Sequence, residues 1–163
     1  MSRIAFASAL FLLTPVFTSA QSPSVESLRG LRGLHIDVLP IDKDAQADGL
    51  SADTIRNNVE SALREAGIEV TEQEKLTDGY ASLSVAVDTV KHPQGVYIYS
   101  VSVAVLQEVQ ITRSNKPGLF VAETYGKRAL GLTTPKQLNL IYEPLNAKLK
   151  ELITDFVSVN PRR

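Results

Sequence analysis

Two stretches of this chain carry one pattern, Ser-x-Ser-Val-Ala-Val, at Ser82 to Val87 and again at Ser100 to Val105. Strict alternation of small and apolar side chains has period two, the period of a β-strand, whose successive side chains point to opposite faces. Between the copies, residues 91–95 (Lys-His-Pro-Gln-Gly) read as a turn. A hairpin centred on Pro93 sets Val87 against Tyr99, Val85 against Val101 and Leu83 against Val103. Its other face then sets Ala86 against Ser100, Ser84 against Ser102 and Ser82 against Ala104. One face is apolar and the other small, the consistency a paired sheet requires. Two copies are too few for a solenoid, so the echo is a hairpin and not a repeat array.

The rest of the chain supplies what this hairpin packs against. Residues 21–33 read as an extended leader ending in two Gly-terminated triplets. Leu34, Ile36 and Val38 alternate with His35 and Asp37, a strand stopped by Pro40. Residues 42–50 read as a polar loop. Ser51 then caps a helix whose stripe is Ile55, Val59, Ala62, Leu63 and Ala66, with Leu50 and Ile55 at staple spacing and Gly67 as the stop. A short strand at 68–70 follows. The second hairpin strand extends to Ile111. Residues 119–130 return along it, with Leu119 by Ile111, Val121 by Val109, Glu123 by Gln107 and Tyr125 by Val105. Thr134, Pro135 and Gln137 form a capping box ahead of a final helix. Its face is Leu138, Ile141, Tyr142, Leu145, Leu149, Leu152, Ile153 and Phe156. Pro144 lies inside that pattern and must kink or split it. The expected architecture is α+β: about five mostly antiparallel strands with two helices on one face, in the order β-α-β-β-β-β-α, as one domain over 34–160.

Residues 1–20 read as a secretory signal: basic Arg3, an apolar stretch from Ile4 to Leu13, then Thr18, Ser19 and Ala20 before the cut. The mature protein is expected to be exported, periplasmic or extracellular, with no later segment apolar enough to span a membrane as a helix. The absence of Cys excludes disulfides, thiolate metal sites and a Cys nucleophile. A formal charge of −1 over 163 residues gives no electrostatic footprint for nucleic acid. The basic pairs Arg29 with Arg32, Lys127 with Arg128 and Arg162 with Arg163 permit at most peripheral contact with anionic head groups.

No catalytic constellation is legible. His35, Asp37, Asp88 and His92 are the acid–base candidates, and only His35 and Asp37 share a strand face. Asp42, Asp44, Asp48 and Asp53 miss the calcium-loop spacing, with Ala47 where Gly is needed. No nucleophile elbow, zinc motif or phosphate loop occurs, and no cofactor is expected. Two features stand out as contact surfaces. One is the flat face of Ser82, Ser84, Ala86, Ser100, Ser102 and Ala104. The other is the distal hairpin around Val109, Ile111, Leu119 and Val121. A strand over 96–111 runs about 50 Å, against about 24 Å for the helix over 51–66, so the hairpin overhangs its cover.

A capped helix ending at Leu63-Arg-Glu-Ala-Gly-Ile68, then a meander and a terminal helix, resembles small exported envelope modules of bacteria. Similar chains are the plug lipoproteins of lipopolysaccharide assembly and the α/β domain of curli-secretion-type lipoproteins. Their lipobox cysteine is absent here, and no site residue carries over. The resemblance implies an envelope protein that acts by contact. The expected function is a non-enzymatic binding or assembly module with a protein partner or a second copy. The alternatives are a lipid or peptide carrier, with its groove between Pro144 and the sheet, and an enzyme whose site converges only in three dimensions.

Overall fold

A computed structural model describes residues 22–72, 79–113 and 119–161; the segment read as an export signal lies outside them. In chain order the elements are α1 (Pro23–Glu26), β1 (Gly33–Val38), α2 (Lys43–Ala47), α3 (Ala52–Glu65), β2 (Glu69–Thr71) and β3 (Tyr80–His92). They continue with β4 (Val96–Gln110), β5 (Leu119–Thr133), a 3-10 segment (Pro135–Ile141) and α4 (Tyr142–Val159). The strands make one sheet in the order β2-β1-β3-β4-β5. β1 is parallel to β2 and β3, while β3, β4 and β5 form an antiparallel meander. The fold is α+β with a mixed, mostly antiparallel sheet.

One face of the sheet holds the core. Leu34 and Ile36 of β1, Leu83, Val85 and Val87 of β3, and Val101, Val103 and Val105 of β4 meet Ile55, Val59 and Leu63 of α3 and Leu145, Leu149, Leu152 and Phe156 of α4. Each such buried aliphatic side chain stabilises the fold by about 1.5–3 kcal/mol. Ser51 caps α3 by accepting from the Thr54 amide, and Gly67 ends it at φ 71°. Leu50 is buried beside Ile55, as the staple spacing predicts.

Over its described residues, 22–33, the leader is not extended. Ser22 caps a single helical turn with Pro23 at its start, and a turn brings Leu28 and Leu31 into the core. The leader is therefore part of the domain. The 42–50 loop contains α2, capped by Asp42, which buries Ala45. The capping box at Thr134 does not form, since no side-chain cap bond is made there. Instead the Thr133 hydroxyl donates to the Gln137 carbonyl at 2.9 Å. Pro144 splits the last helical pattern: α4 begins at Tyr142, which leaves Pro144 in the first turn, where its missing N–H has no intrahelical partner to lose.

Two registers differ from expectation. The β3–β4 hairpin is centred on Gln94, so Val85 faces Val103 and Ser84 faces Ala104. Gly95, at φ 79°, takes the left-handed position of a three-residue loop, which moves the register by two and preserves both faces. The β4–β5 pairing follows expectation from Tyr97↔Thr133 to Val105↔Tyr125, then slips by one, with Leu106 facing Glu123. Thr124 is the extra residue of a β-bulge, and the slip exchanges the faces beyond it. Val121 therefore faces Glu108, and Phe120 takes the place beside Val109.

Candidate functional site

The sheet's second face belongs to the alternate residues of each strand, and among the described residues no helix buries a side chain against it. The registers lay it out in rows. Ala86, Ser102 and Arg128 form one row, and Asp37, Ser84, Ala104 and Gly126 the next. His35, Ser82 and Leu106 form a third. Asp88 and Ser100 lead to Leu130. The small residues predicted to share a face do so. Ser82, Ala86 and Ala104 are buried yet stand outside the core cluster. Ser84, Ser100 and Ser102 are half-buried, and short side chains on β3 and β4 beside Gly126 of β5 leave a shallow trough here.

Beyond the trough, toward the β3–β4 turn, the same face becomes apolar. Val90, Ile98 and Leu132 form a row across three strands, with Leu130 diagonal to Ile98. Leu130 and Leu132 are 77% and 71% exposed, the most exposed large apolar residues described. This cluster escaped the sequence reading. Its signal was present: Val90, Ile98, Leu130 and Leu132 are apolar at positions in phase with the small face and out of phase with the core.

At the distal end of the β4–β5 hairpin, Ile111, Phe120 and Val121 are exposed and Val109 is half-buried. The bulge puts Phe120 instead of Val121 on the Val109 face of the sheet. The side chain of Leu119 lies outside the described set. The Thr124 hydroxyl accepts from the Gln107 amide at 2.6 Å, and the Thr124 carbonyl accepts from Ser27 Oγ at 3.1 Å, so the leader clamps the bulge.

Of the acid–base candidates, His35 and Asp37 share the open face of β1, and Asp88 and His92 stand away from them. His35 is level with Ser82, ten residues along β3 from His92, or about 34 Å. His35 Nδ1 lies 3.1 Å from the Thr71 carbonyl, and His92 Nδ1 accepts from the Gln94 amide. Asp37 and Asp88 stand four positions apart on neighbouring strands. No group of three or more metal-capable side chains occurs among the described residues. The acidic run has structural partners. Asp42 caps α2, while Asp48 receives Lys91 Nζ at 2.8 Å and the Tyr97 hydroxyl at 2.6 Å. The Lys91 hydrogen bond, then that of Tyr97, holds the Asp48 carboxyl below its usual range. On β5, burial and then the bond to Asp155 push the Tyr125 hydroxyl far above the usual tyrosine range.

Hollows lie on the helical side, and two of them bear on the candidate readings. One of about 630 Å³ separates α3 from α4 between Ala62, Ala66, Leu149 and Ile153. The other, about 400 Å³, opens between β5 and the start of α4, where the carrier reading places its groove. Tyr99, Leu132, Leu140, Pro144 and Ala147 line it together with Thr133, Gln137 and Glu143. No described helix is long and apolar enough to cross a membrane. No family model matches the chain, and no curated protein matches it.

Proposed function

We propose that the protein is an exported, non-enzymatic binding or assembly module of the bacterial cell envelope, acting through the uncovered face of its sheet. The observation that carries this reading is the open face itself. A five-stranded sheet with a complete core on one side leaves a small-residue trough and an adjoining apolar cluster without a covering layer among the described residues. Contiguous exposed apolar surface of that kind marks contact sites on folded proteins. The first twenty residues supply the reason for export.

The test is capture of partners from the envelope fraction, with photocrosslinkers placed at Ser84 and Ser102. The expected outcome is one enriched envelope protein that disappears in the Ser84→Arg/Ser102→Arg variant while the thermal melt is retained. Undiminished capture by that variant removes the face from the function.

A further inference from the structure

We propose that the outer edge of β5 from Leu130 to Thr133 is a strand-addition site for an extended segment of another protein carrying consecutive apolar residues. The proposal rests on the binding-module reading and names the kind of partner it requires. β5 ends the sheet, so alternate backbone N–H and C=O groups along it point away from β4. At Thr124 the chain covers this edge itself, through Ser27. From Gly126 to Leu132 no described residue bonds to the outward groups. The usual protections of a free edge are missing here. Residues 129–133 (Ala-Leu-Gly-Leu-Thr) contain no Pro and no charge. The two cations just before them are engaged within the chain, Lys127 with Glu151 and Asp155, and Arg128 with Glu123.

Apolar side chains flank this edge on both sides of the sheet, joined on the helical side by polar ones. On the open face stand Leu130 and Leu132, backed by Ile98 and Val90. On the helical face lies the 400 Å³ hollow, where Tyr99, Leu140, Pro144 and Ala147 stand beside Thr133, Gln137 and Glu143, with Leu140 49% exposed. A strand laid beside β5 sends successive side chains alternately onto these two surfaces. A segment with apolar residues at neighbouring positions sets one against Leu130 and Leu132 and the next against Tyr99, Leu140 and Pro144. A second copy of β5 does not, because its helix-side residues here are Ala129, Gly131 and Thr133, too small for the hollow and already beneath their own α4 and Tyr99. An acyl chain matches the apolar walls but leaves the edge amides without partners.

The test uses the full chain and a fluorescein-labelled decapeptide with a central Val-Ile-Phe-Val run between Ser and Lys residues, read by anisotropy. Saturable binding is expected. Ala147→Arg, which fills the hollow from an exposed helix position, and Leu130→Asp should each weaken it by about tenfold or more. Methylating alternate peptide amides should abolish it, because strand pairing then fails. Binding that survives methylation, or that ignores both variants, overturns the proposal. So does absence of binding to the wild-type chain, or a concentration-dependent dimer in sedimentation that Leu130→Asp dissolves, which gives the edge to a second copy. Envelope capture separates this inference from its premise. A partner held by wild type and by Ala147→Arg but lost from Ser84→Arg/Ser102→Arg sinks the edge site and leaves the binding module standing.

Discussion

Asp48 illustrates how single residues here do work that their neighbours in sequence do not disclose. In the chain it belongs to an acidic run before a helix. In the fold it binds Lys91 and the Tyr97 hydroxyl, 43 and 49 residues further on, and so ties the turn after α2 to the β3–β4 hairpin. Because its folded carboxyl is held below the unfolded value of about 3.9, the contribution is fully present above that pH and is lost as pH falls through the lower folded value. Asp48→Asn should therefore lower the melting temperature at pH 7, and the gap to wild type should close as the pH falls below about 4. Thermal melts across that range check it; a gap independent of pH assigns the effect to something other than the charge. A glycine on β5 makes a second local case. A Cβ at Gly131 would meet Tyr99 Cζ at 2.5 Å. Gly131→Ala should cost about 1–3 kcal/mol through displacement of that ring, measured by urea unfolding, with no loss when Tyr99 is already Ala.

Elements were legible wherever local pattern and local chemistry agreed. Ser51, the Ile55–Val59–Leu63 stripe and Gly67 delimit α3 within a residue of its observed ends. Hairpin faces were legible because a shift of two residues leaves parity intact; the centre was not, because Gly95 and not Pro93 sets the loop. The bulge was invisible. Leu119, Val121 and Tyr125 keep period two straight through Thr124, and the forces that hold the extra residue come from Gln107 and Ser27. Thr124→Val should therefore cost about 1–2 kcal/mol and raise amide exchange in β5 near residue 124, while the melt of Ser51→Ala, a loss of about 1 kcal/mol, reports only α3. Pro144 gives the complementary case. It sits in the first turn of α4, so Pro144→Ala should change stability by less than about 1 kcal/mol, where a helix-interior proline costs about 3. A large gain on removing it would mean the helix is strained there.

At the scale of the whole molecule, the two ends of the described chain are sewn together by one side chain. Asn160, just past α4, donates from Nδ2 to the Leu28 carbonyl at 2.8 Å and to the Phe156 carbonyl at 3.0 Å, and its Oδ1 accepts from the Gly30 amide at 2.7 Å. Arg29 adds a contact to the Val159 carbonyl. This closure explains why the leader folds onto the domain: Leu28 is fully buried, and a core side chain can be held only where its backbone is also satisfied. Neither partner is readable from the other, since 130 residues separate them. Asn160→Asp keeps the shape and the acceptor for Gly30 but replaces the donor with a carboxylate facing two carbonyls. It should destabilise by about 1–3 kcal/mol, less so at acid pH, where protonation restores one donor. Leu28→Ala should cost about 2–5 kcal/mol by opening a cavity. If Asn160 acts by docking the leader, the two losses fall well short of additive in the double variant, because each already releases the same segment. Strict additivity would show instead that the leader stays docked through Leu31 alone and that the clasp between the ends is incidental.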